Sequence, residues 1–304
     1  MHLQRLGVIG YGEVGRIFSA GLQAQVSSTC TWDLRFEMPE HRDAALAHAR
    51  DAGVTACAGM AALCAGSDLV ISAVTASNTL AVAQAAAPHF RPGMVFLDLN
   101  SASPGTKQQA SALINAARGH YVEAGVMTSV PPYGIRVPML LGGAHAADLA
   151  AVLQAWGMDA RPVAEEVGVA SAIKMCRSVM IKGLEALVIE SYATARAYGV
   201  ENHVLPTLAE TFPSIDWDQT GAYFFSRVVQ HGQRRAEEMR ESANTVREAG
   251  FEPLMASAIA DKQQWVADRA RAGMFEGVGK GALWQDYADR LLQACQAHAK
   301  PKAA

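Results

Sequence analysis

Near its start the chain reads Leu6-Gly7-Val8-Ile9, then Gly10-Tyr11-Gly12-Glu13-Val14-Gly15, then a helix-forming stretch from Arg16 to Gln23. A short apolar run, glycines at G-x-G-x-x-G spacing and a helix form an order that few folds accommodate. The first glycine lets the backbone turn sharply, the second leaves room for a pyrophosphate, and the third lets the helix close on the strand. The helix start then offers N–H groups and the positive end of its dipole to the phosphates. Gly10, Tyr11, Gly12, Glu13, Val14 and Gly15 are therefore the candidate dinucleotide cradle. The alternative is a turn with a purely structural role.

Beyond this turn the first half alternates strand and helix. Thr29 to Asp33 reads as a second strand, and Glu40 to Arg50 and Ala61 to Leu63 as helices. Asp68 to Val74 is a compact apolar run of the buried parallel kind. Thr79 to Ala87, Gly93 to Asp98, Gly105 to Ala117, Tyr121 to Ala124, Met139 to Gly143, Ala146 to Gln154 and Ala160 to Val163 continue the alternation. Such an order predicts an α/β fold, a Rossmann-type doubly wound sheet over residues 1–165. After Val167 no strand is expected. Val169 to Tyr198, Asn202 to Thr211, Thr220 to Glu248, Pro253 to Ala270 and Leu283 to His298 all carry helical periodicity, punctuated by Pro206, Pro213, Gly250 and Pro253. Residues 166–304 are expected to form an all-helical domain for substrate binding and dimerisation, with a frayed end from Ala299 to Ala304.

Ligands of an open α/β sheet sit beyond the carboxyl ends of its strands. There, Asp33 can accept hydrogen bonds from adenosine ribose hydroxyls and repel a 2′-phosphate, which favours NAD slightly over NADP. Arg35 keeps NADP open, because a guanidinium there can hold a phosphate. The other reading is that Asp33 caps a turn and Arg35 is solvated. Thr75, Asn78 and Asn100 fall where the nicotinamide half would lie, and Ser101 is free to face the crevice. Ser103 and Pro104 are an N-cap and first-turn pair for the helix that follows.

Totals narrow the remaining classes. The chain has 304 residues, 50% hydrophobic and 18% charged, which suffices for two domains with real cores. A net charge of −3 without a basic block argues against nucleic acid as the main partner. No apolar run reaches membrane-spanning length and none reads as a secretory signal. Cys30, Cys57, Cys64, Cys176 and Cys295 lack C-x-x-C spacing and read as reduced thiols of a cytoplasmic protein. The histidines show no ligand spacing, so no metal is expected.

The long helical stretch contains Ile173-Lys174-Met175-Cys176-Arg177-Ser178. An ammonium in apolar surroundings is costly to charge, so burial would bring Lys174 toward acid–base chemistry, with Ser178 one turn later to orient a hydroxyl. The competing reading is a lysine that snorkels to solvent.

Asp98-Leu99-Asn100-Ser101-Ala102-Ser103-Pro104, the glycine turn and a lysine soon after Gly168 at the start of a long helix together resemble the β-hydroxyacid dehydrogenases, relatives of 6-phosphogluconate dehydrogenase. The resemblance spans nearly the whole chain. It implies NAD(P)-dependent hydride transfer between nicotinamide and a small hydroxy acid or semialdehyde, with Lys174 as general acid/base. It also implies a cleft between domains, a small-molecule substrate carrying a carboxylate, and a homodimer. Departures mark a divergent branch. Glu123-Ala124-Gly125-Val126-Met127-Thr128-Ser129 stands where the family has D-A-P-V-S-G-G, Ser178 replaces an asparagine, and Ala170 a glycine. Ser101, Thr128 and Ser178 remain substrate-binding candidates. His231, Arg234 and Arg235 could clamp a carboxylate, or form a helix face paired locally with Glu237 and Glu238. The altered loop leaves imine reduction on the same scaffold as one alternative, and a non-catalytic NAD(P)-binding sensor as another.

Overall fold

The computed structural model describes residues 1–279 and 281–299, and the side chains of 294–299 are not among those described. Of the frayed end expected from Ala299 to Ala304, residues 300–304 lie outside the described residues, as does the thiol of Cys295, while Ala299 is still helical. Backbone packing divides the chain into two compact units. The first is Met1–Cys176 with Glu248–Gly250, and the second is Arg177–Arg247 with Phe251–Ala304. The boundary expected at 165/166 precedes this division, which falls inside a helix.

The first unit alternates β1 (Arg5–Ile9), α1 (Glu13–Leu22), β2 (Ser28–Trp32), α2 (Pro39–Asp51), β3 (Thr55–Ala56), α3 (Met60–Ala65), β4 (Leu69–Ser72), α4 (Thr79–Ala86), β5 (Val95–Asp98), α5 (Pro104–Ala116), β6 (His120–Val126), β7 (Met139–Gly142), α6 (Ala146–Ala155) and β8 (Ala160–Ala164). The strands form one sheet in the order β3-β2-β1-β4-β5-β6-β7-β8. Neighbours run parallel except β6 and β7, which pair antiparallel from Glu123–Gly142 to Val126–Met139. This Rossmann-type, doubly wound sheet is the architecture the strand–helix alternation predicts. The antiparallel β7 is a departure, and the two-residue β3 is too short to carry a pattern.

Central strands are buried on both faces, because helices cover each side. Successive residues therefore feed two cores. Leu69, Ile71, Val95 and Leu97 pack in one core with Phe18 and Leu22 of α1 and Leu149 and Leu153 of α6. Val70 and Phe96 point the other way, into a core with Leu63, Ala83, Ala110 and Ile114. Burying a side chain of this size contributes about 1.5–3 kcal/mol.

The second unit takes most of α7 (Val169–Tyr198), then α8 (Glu201–Thr211), α9 (Trp217–Glu248), α10 (Leu254–Arg271) and α11 (Trp284–Ala299). Among its described residues there is no strand. Tyr192, Phe225, Val228, Val266, Trp284 and Tyr287 form its main core. Pro206 sits inside α8, within the helical stretch expected from Asn202 to Thr211. Buried ion pairs fix α7 against α9: Arg235 donates to Glu185, and Lys182 Nζ lies 3.0 Å from Glu238 Oε2.

One buried ion pair lies under the ligand-facing edge of the sheet. Lys107 on α5 is 1% exposed and Asp98 at the end of β5 is 0% exposed, with Nζ 2.9 Å from Oδ1. Lys107 also donates to the Asp98 carbonyl (3.1 Å), and the Tyr121 hydroxyl donates to Oδ2 (2.7 Å). Burial first, then the Asp98 carboxylate, pushes the Tyr121 phenol far above its ordinary value, so it stays a donor. Lys107→Met should leave the Asp98 charge buried without its cation and lower stability by about 3–5 kcal/mol. Adding Asp98→Asn, which keeps an acceptor but removes the charge, should restore at least half of the loss in urea unfolding. A double variant no more stable than the single would trace the loss to packing instead.

Candidate functional site

The first glycine turn carries an unusual backbone. Gly10 has φ +90°, and a Cβ there would meet the Ala73 carbonyl oxygen at 2.5 Å and Val74 Cγ1 at 2.9 Å. The turn is thus pressed against the end of β4, which a side chain would prevent. Gly15 on α1 faces the Gly10 carbonyl so closely that a Cβ would collide with it. Gly12 differs: a Cβ there would find only Arg35 Nη2 at 3.8 Å. Gly12 is also the N-cap of α1 and provides no side-chain cap, so the first N–H groups of the helix are left for another acceptor. An open concavity lined by helix N–H groups fits a pyrophosphate. Arg16, not anticipated from sequence, donates Nε to the Tyr11 carbonyl (3.2 Å) and adds a positive charge to the same turn. Tyr11 itself is 1% exposed, with its hydroxyl 3.2 Å from His48 Nδ1.

Asp33 stands just beyond β2, where a ribose-binding carboxylate belongs, but its oxygens are engaged. Oδ2 accepts from the Tyr11 amide (2.6 Å) and Arg35 Nη2 (2.9 Å); Oδ1 accepts from the Arg35 amide (2.8 Å) and Nε (3.0 Å). Burial acts to raise this carboxyl, yet the Arg35 and Tyr11 donors outweigh it and hold it below its ordinary value. The capping reading of Asp33 is the one these contacts show. It caps the turn at Leu34–Phe36, and Arg35, rather than being solvated, is folded back onto it.

Asn100 is 3% exposed, and its side chain is committed within the protein. Its Oδ1 accepts from the Val74 amide (2.7 Å) and its Nδ2 donates to Ser72 Oγ (2.9 Å). The side-chain amide of Asn100, a candidate for the nicotinamide half, rivets the β4 and β5 ends together. Thr75 and Asn78 are exposed at the end of β4, with Asn78 Nδ2 donating to Thr75 Oγ1 (2.9 Å).

Next to Asn100, Ser101 accepts a hydrogen bond from Lys174 Nζ at 2.5 Å. Lys174 is half-buried, and its sequence neighbours Ile173 and Cys176 are exposed while Met175 is buried. Helical geometry explains this: neighbours in sequence face different sides. The start of α7 is fixed by Glu123, whose Oε1 accepts from the amides of Gly168 (2.7 Å) and Ala170 (3.0 Å). Gly125 lets the helix approach, since a Cβ there would lie 2.8 Å from the Ala170 carbonyl and 3.6 Å from Lys174 Cβ. The predicted N-cap is seen: Ser103 Oγ accepts from the Thr106 amide (3.3 Å). Glu248 adds to it, accepting from Ser103 Oγ (2.7 Å) and the Gly105 amide (2.9 Å). Thr128 is exposed on the β6–β7 loop.

The remaining candidates belong to the second unit. Ser178 is buried and accepts from Lys182 Nζ (3.2 Å). His231 is half-buried, and Arg234 is exposed with Nε 3.8 Å from Glu238 Oε1. Arg235 is buried and its guanidinium is occupied by Glu185. Among the described residues no group of three His, Cys, Asp or Glu side chains could hold a metal ion. No described helix is long and apolar enough to cross a membrane.

The two inner glycines make a discriminating pair of variants. Gly12→Ala should leave Tm nearly unchanged but weaken NADH and NADPH binding about tenfold or more, a loss near 1.4 kcal/mol. Gly15→Ala should instead lower Tm by about 5 °C or more, because its methyl overlaps backbone. Thermal melts and dinucleotide titration of both variants check this; undisturbed binding in Gly12→Ala would remove the turn from the cofactor site.

Comparison with known proteins agrees with this geometry. Residues 5–160 match the model of the NAD binding domain of 6-phosphogluconate dehydrogenase, and residues 195–266 match a domain of unknown function, DUF1932. A conserved hypothetical protein from Sinorhizobium meliloti 1021 is 37% identical, with 96% of this chain and 97% of that one covered at a TM-score of 0.76. A conserved protein described as structurally similar to 3-hydroxyacid dehydrogenases is 31% identical over 88% of this chain and 98% of its own, with a TM-score of 0.67. The 3-hydroxyisobutyrate dehydrogenase of Salmonella typhimurium shares the fold at 18% identity, with 95% and 99% covered and a TM-score of 0.64. The glycine cradle, the sheet order and the matched domain lead to one conclusion: this chain belongs to the 6-phosphogluconate dehydrogenase-like family of NAD-binding proteins.

Proposed function

We propose that the protein is an NAD(P)-dependent oxidoreductase acting between a small hydroxy acid and the corresponding semialdehyde, with Lys174 as its general acid/base. The observation that carries this is the contact between Lys174 Nζ and Ser101 Oγ. It lies next to Asn100, whose side chain holds the Val74 amide just beyond the end of β4. A lysine on a helix face usually reaches solvent; here it is turned to a serine beside the strand ends, where ligands of such sheets bind.

When bound in the glycine cradle, a nicotinamide dinucleotide supplies or takes up hydride at the substrate carbon. The chain's own groups handle the proton. Lys174 Nζ takes the hydroxyl proton as an alcohol becomes a carbonyl and returns it in the reverse direction. Ser101 Oγ holds Nζ in place and contacts the substrate oxygen, and Thr128 contacts the substrate from the β6–β7 loop. Asp33 receives the ribose hydroxyls of NAD when Arg35 swings off it; the same motion gives Arg35 a 2′-phosphate to bind in NADP. The carboxylate favours NAD slightly.

Turnover of small 3-hydroxy acids and semialdehydes, with cyclic imines in the same panel, tests the reaction class. Lys174→Ala should lower turnover by about 10²–10⁴-fold while leaving dinucleotide affinity within about twofold. Unchanged turnover refutes the assignment. For the cofactor, Arg35→Ala should weaken NADPH about tenfold more than NADH, and Asp33→Ala should do the reverse. Equal losses for both cofactors in both variants would take this ion pair out of cofactor choice.

A further inference from the structure

We propose that the solvent-facing side of α7, from Arg177 to Tyr198, is where a second copy of this chain docks, the two α7 helices pairing antiparallel about a two-fold axis. The inference is independent of the reaction proposed above and starts from spacing on the helix. Met180, Leu184, Leu187, Ser191, Thr194 and Tyr198 are all exposed, and so is Arg177, three residues before Met180. Their spacing alternates between three and four residues without a break. That is the a/d pattern of a coiled-coil seam, sustained over three heptads and about 33 Å of helix.

The opposite side of the helix is already in use. Val188, Ile189 and Tyr192 lie in the main core of the second unit, and Ala186 in a smaller one. The charges of this stretch are turned inward as well, with Lys182 paired to Glu238 and Glu185 to Arg235. α7 is thus apolar on two faces, and its own unit covers one of them. A helix apolar all round belongs inside a structure. On the open face Met180 is 66% exposed, Leu187 56% and Tyr198 79%, with Ile181 and Val200 beside them. Single exposed apolar side chains need no explanation, but a continuous stripe of them marks a partner's site.

The stripe is complementary to itself, which selects a second copy as the occupant. With Leu184 level with the partner's Leu187, Met180 falls opposite the partner's Ser191, so a long side chain meets a small one. Ser191 belongs to a groove of about 430 Å³ lined also by Leu187, Thr194, Tyr198, Val200 and Val204. Met180 is the knob that such a hole takes, and its flexible thioether adapts to the shape. In the same register Arg177 stands about 6 Å along the axis from the partner's Glu190, within reach of a guanidinium. Glu190 Oε2 lies 2.5 Å from Lys262 Nζ, yet its side chain is 65% exposed. The two-fold axis repeats every contact, so an Arg177–Glu190 pair closes each end of a central Leu184–Leu187 layer. The two helix dipoles then run in opposite senses. Parallel pairing would set Arg177 against itself. A lipid surface calls for an apolar face rimmed by lysine and arginine, whereas Arg177 and Glu190 bring opposite charges.

Sedimentation equilibrium of the full chain tests the partner, and cross-linking tests the register. The chain should sediment as a dimer. Leu187→Glu, which places a carboxylate on the seam twice per dimer, should weaken association about a hundredfold or more. Its far-UV circular dichroism should stay that of the folded chain, because Leu187 faces away from its own core. The double variant Met180→Cys/Ser191→Cys should give a covalent dimer on mild oxidation, with position 180 joined to position 191 in peptide mapping. Neither single variant should cross-link to its own copy, since like positions lie about 16 Å apart along the axis. Three results would overturn the proposal. They are a wild-type chain that stays monomeric, whether or not it binds phosphatidylserine vesicles, a dimer that Leu187→Glu leaves equally tight, and cross-links between like positions in the single variants. None of these readouts depends on dehydrogenase activity.

Discussion

Where Lys174 sits is decided at the start of the helix that carries it. The first N–H groups of a helix have no intrahelical partners, and here the helix begins against the sheet rather than in water. Glu123 resolves this: one carboxylate oxygen accepts from both the Gly168 and Ala170 amides and places negative charge at the positive end of a long helix. The carboxylate is 0% exposed, and it would be costly to keep there without those donors. Gly168, at φ +115°, turns the chain into the helix, and Gly125 removes the side chain that would hold it off. Lys174 follows about one turn later, with its direction already set.

The partner of Lys174 is fixed by a separate set of buried polar groups. The Asn100 side chain ties the loop after β5 to the end of β4, and its backbone N–H donates to Asp98 Oδ1 at 2.9 Å. Asp98 is in turn held by Lys107 and Tyr121. A purely apolar layer of the same volume would cost less to bury. It could not fix a loop by direction, because dispersion contacts lack the angular preference of hydrogen bonds. The polar layer thus trades stability for position at the place where Ser101 must meet an amine.

Local rules made much of this readable in the sequence. The glycine turn could be recognised because each glycine answers a separate steric demand. Ser103-Pro104 marked a helix start, and the period of the residues from Val169 to Tyr198 marked a helix with the observed ends. What stayed hidden depends on partners distant in sequence. Lys107 lies on a helix and looks solvated until Asp98 is placed beside it. The structural role of Asn100 emerges only when the Val74 amide is placed beside its side chain. The division of the compact units inside α7 leaves no mark, because helical periodicity runs through it without a break. β7 reverses direction after a loop whose length permits either sense, and its four residues read the same both ways.

Asp33 shows how a capping residue can stand where the proposed ribose contact also needs a carboxylate. Capping a turn and receiving ribose hydroxyls both require a carboxylate at the end of β2, and both draw on the same lone pairs. Arg35 occupies three of its contacts, and the Tyr11 amide, which belongs to the glycine turn, takes the fourth. The turn and the carboxylate are therefore one mechanical piece: Asp33 cannot move without loosening the residue between Gly10 and Gly12. Arg35 is different. Its side chain is about one-third exposed, so its guanidinium can leave for solvent or a phosphate at modest cost. The backbone amides keep Asp33 oriented when it does. The proposed choice between NAD and NADP at this corner is accordingly a competition for one guanidinium, in which the fold holds the acid still and leaves the base free to choose.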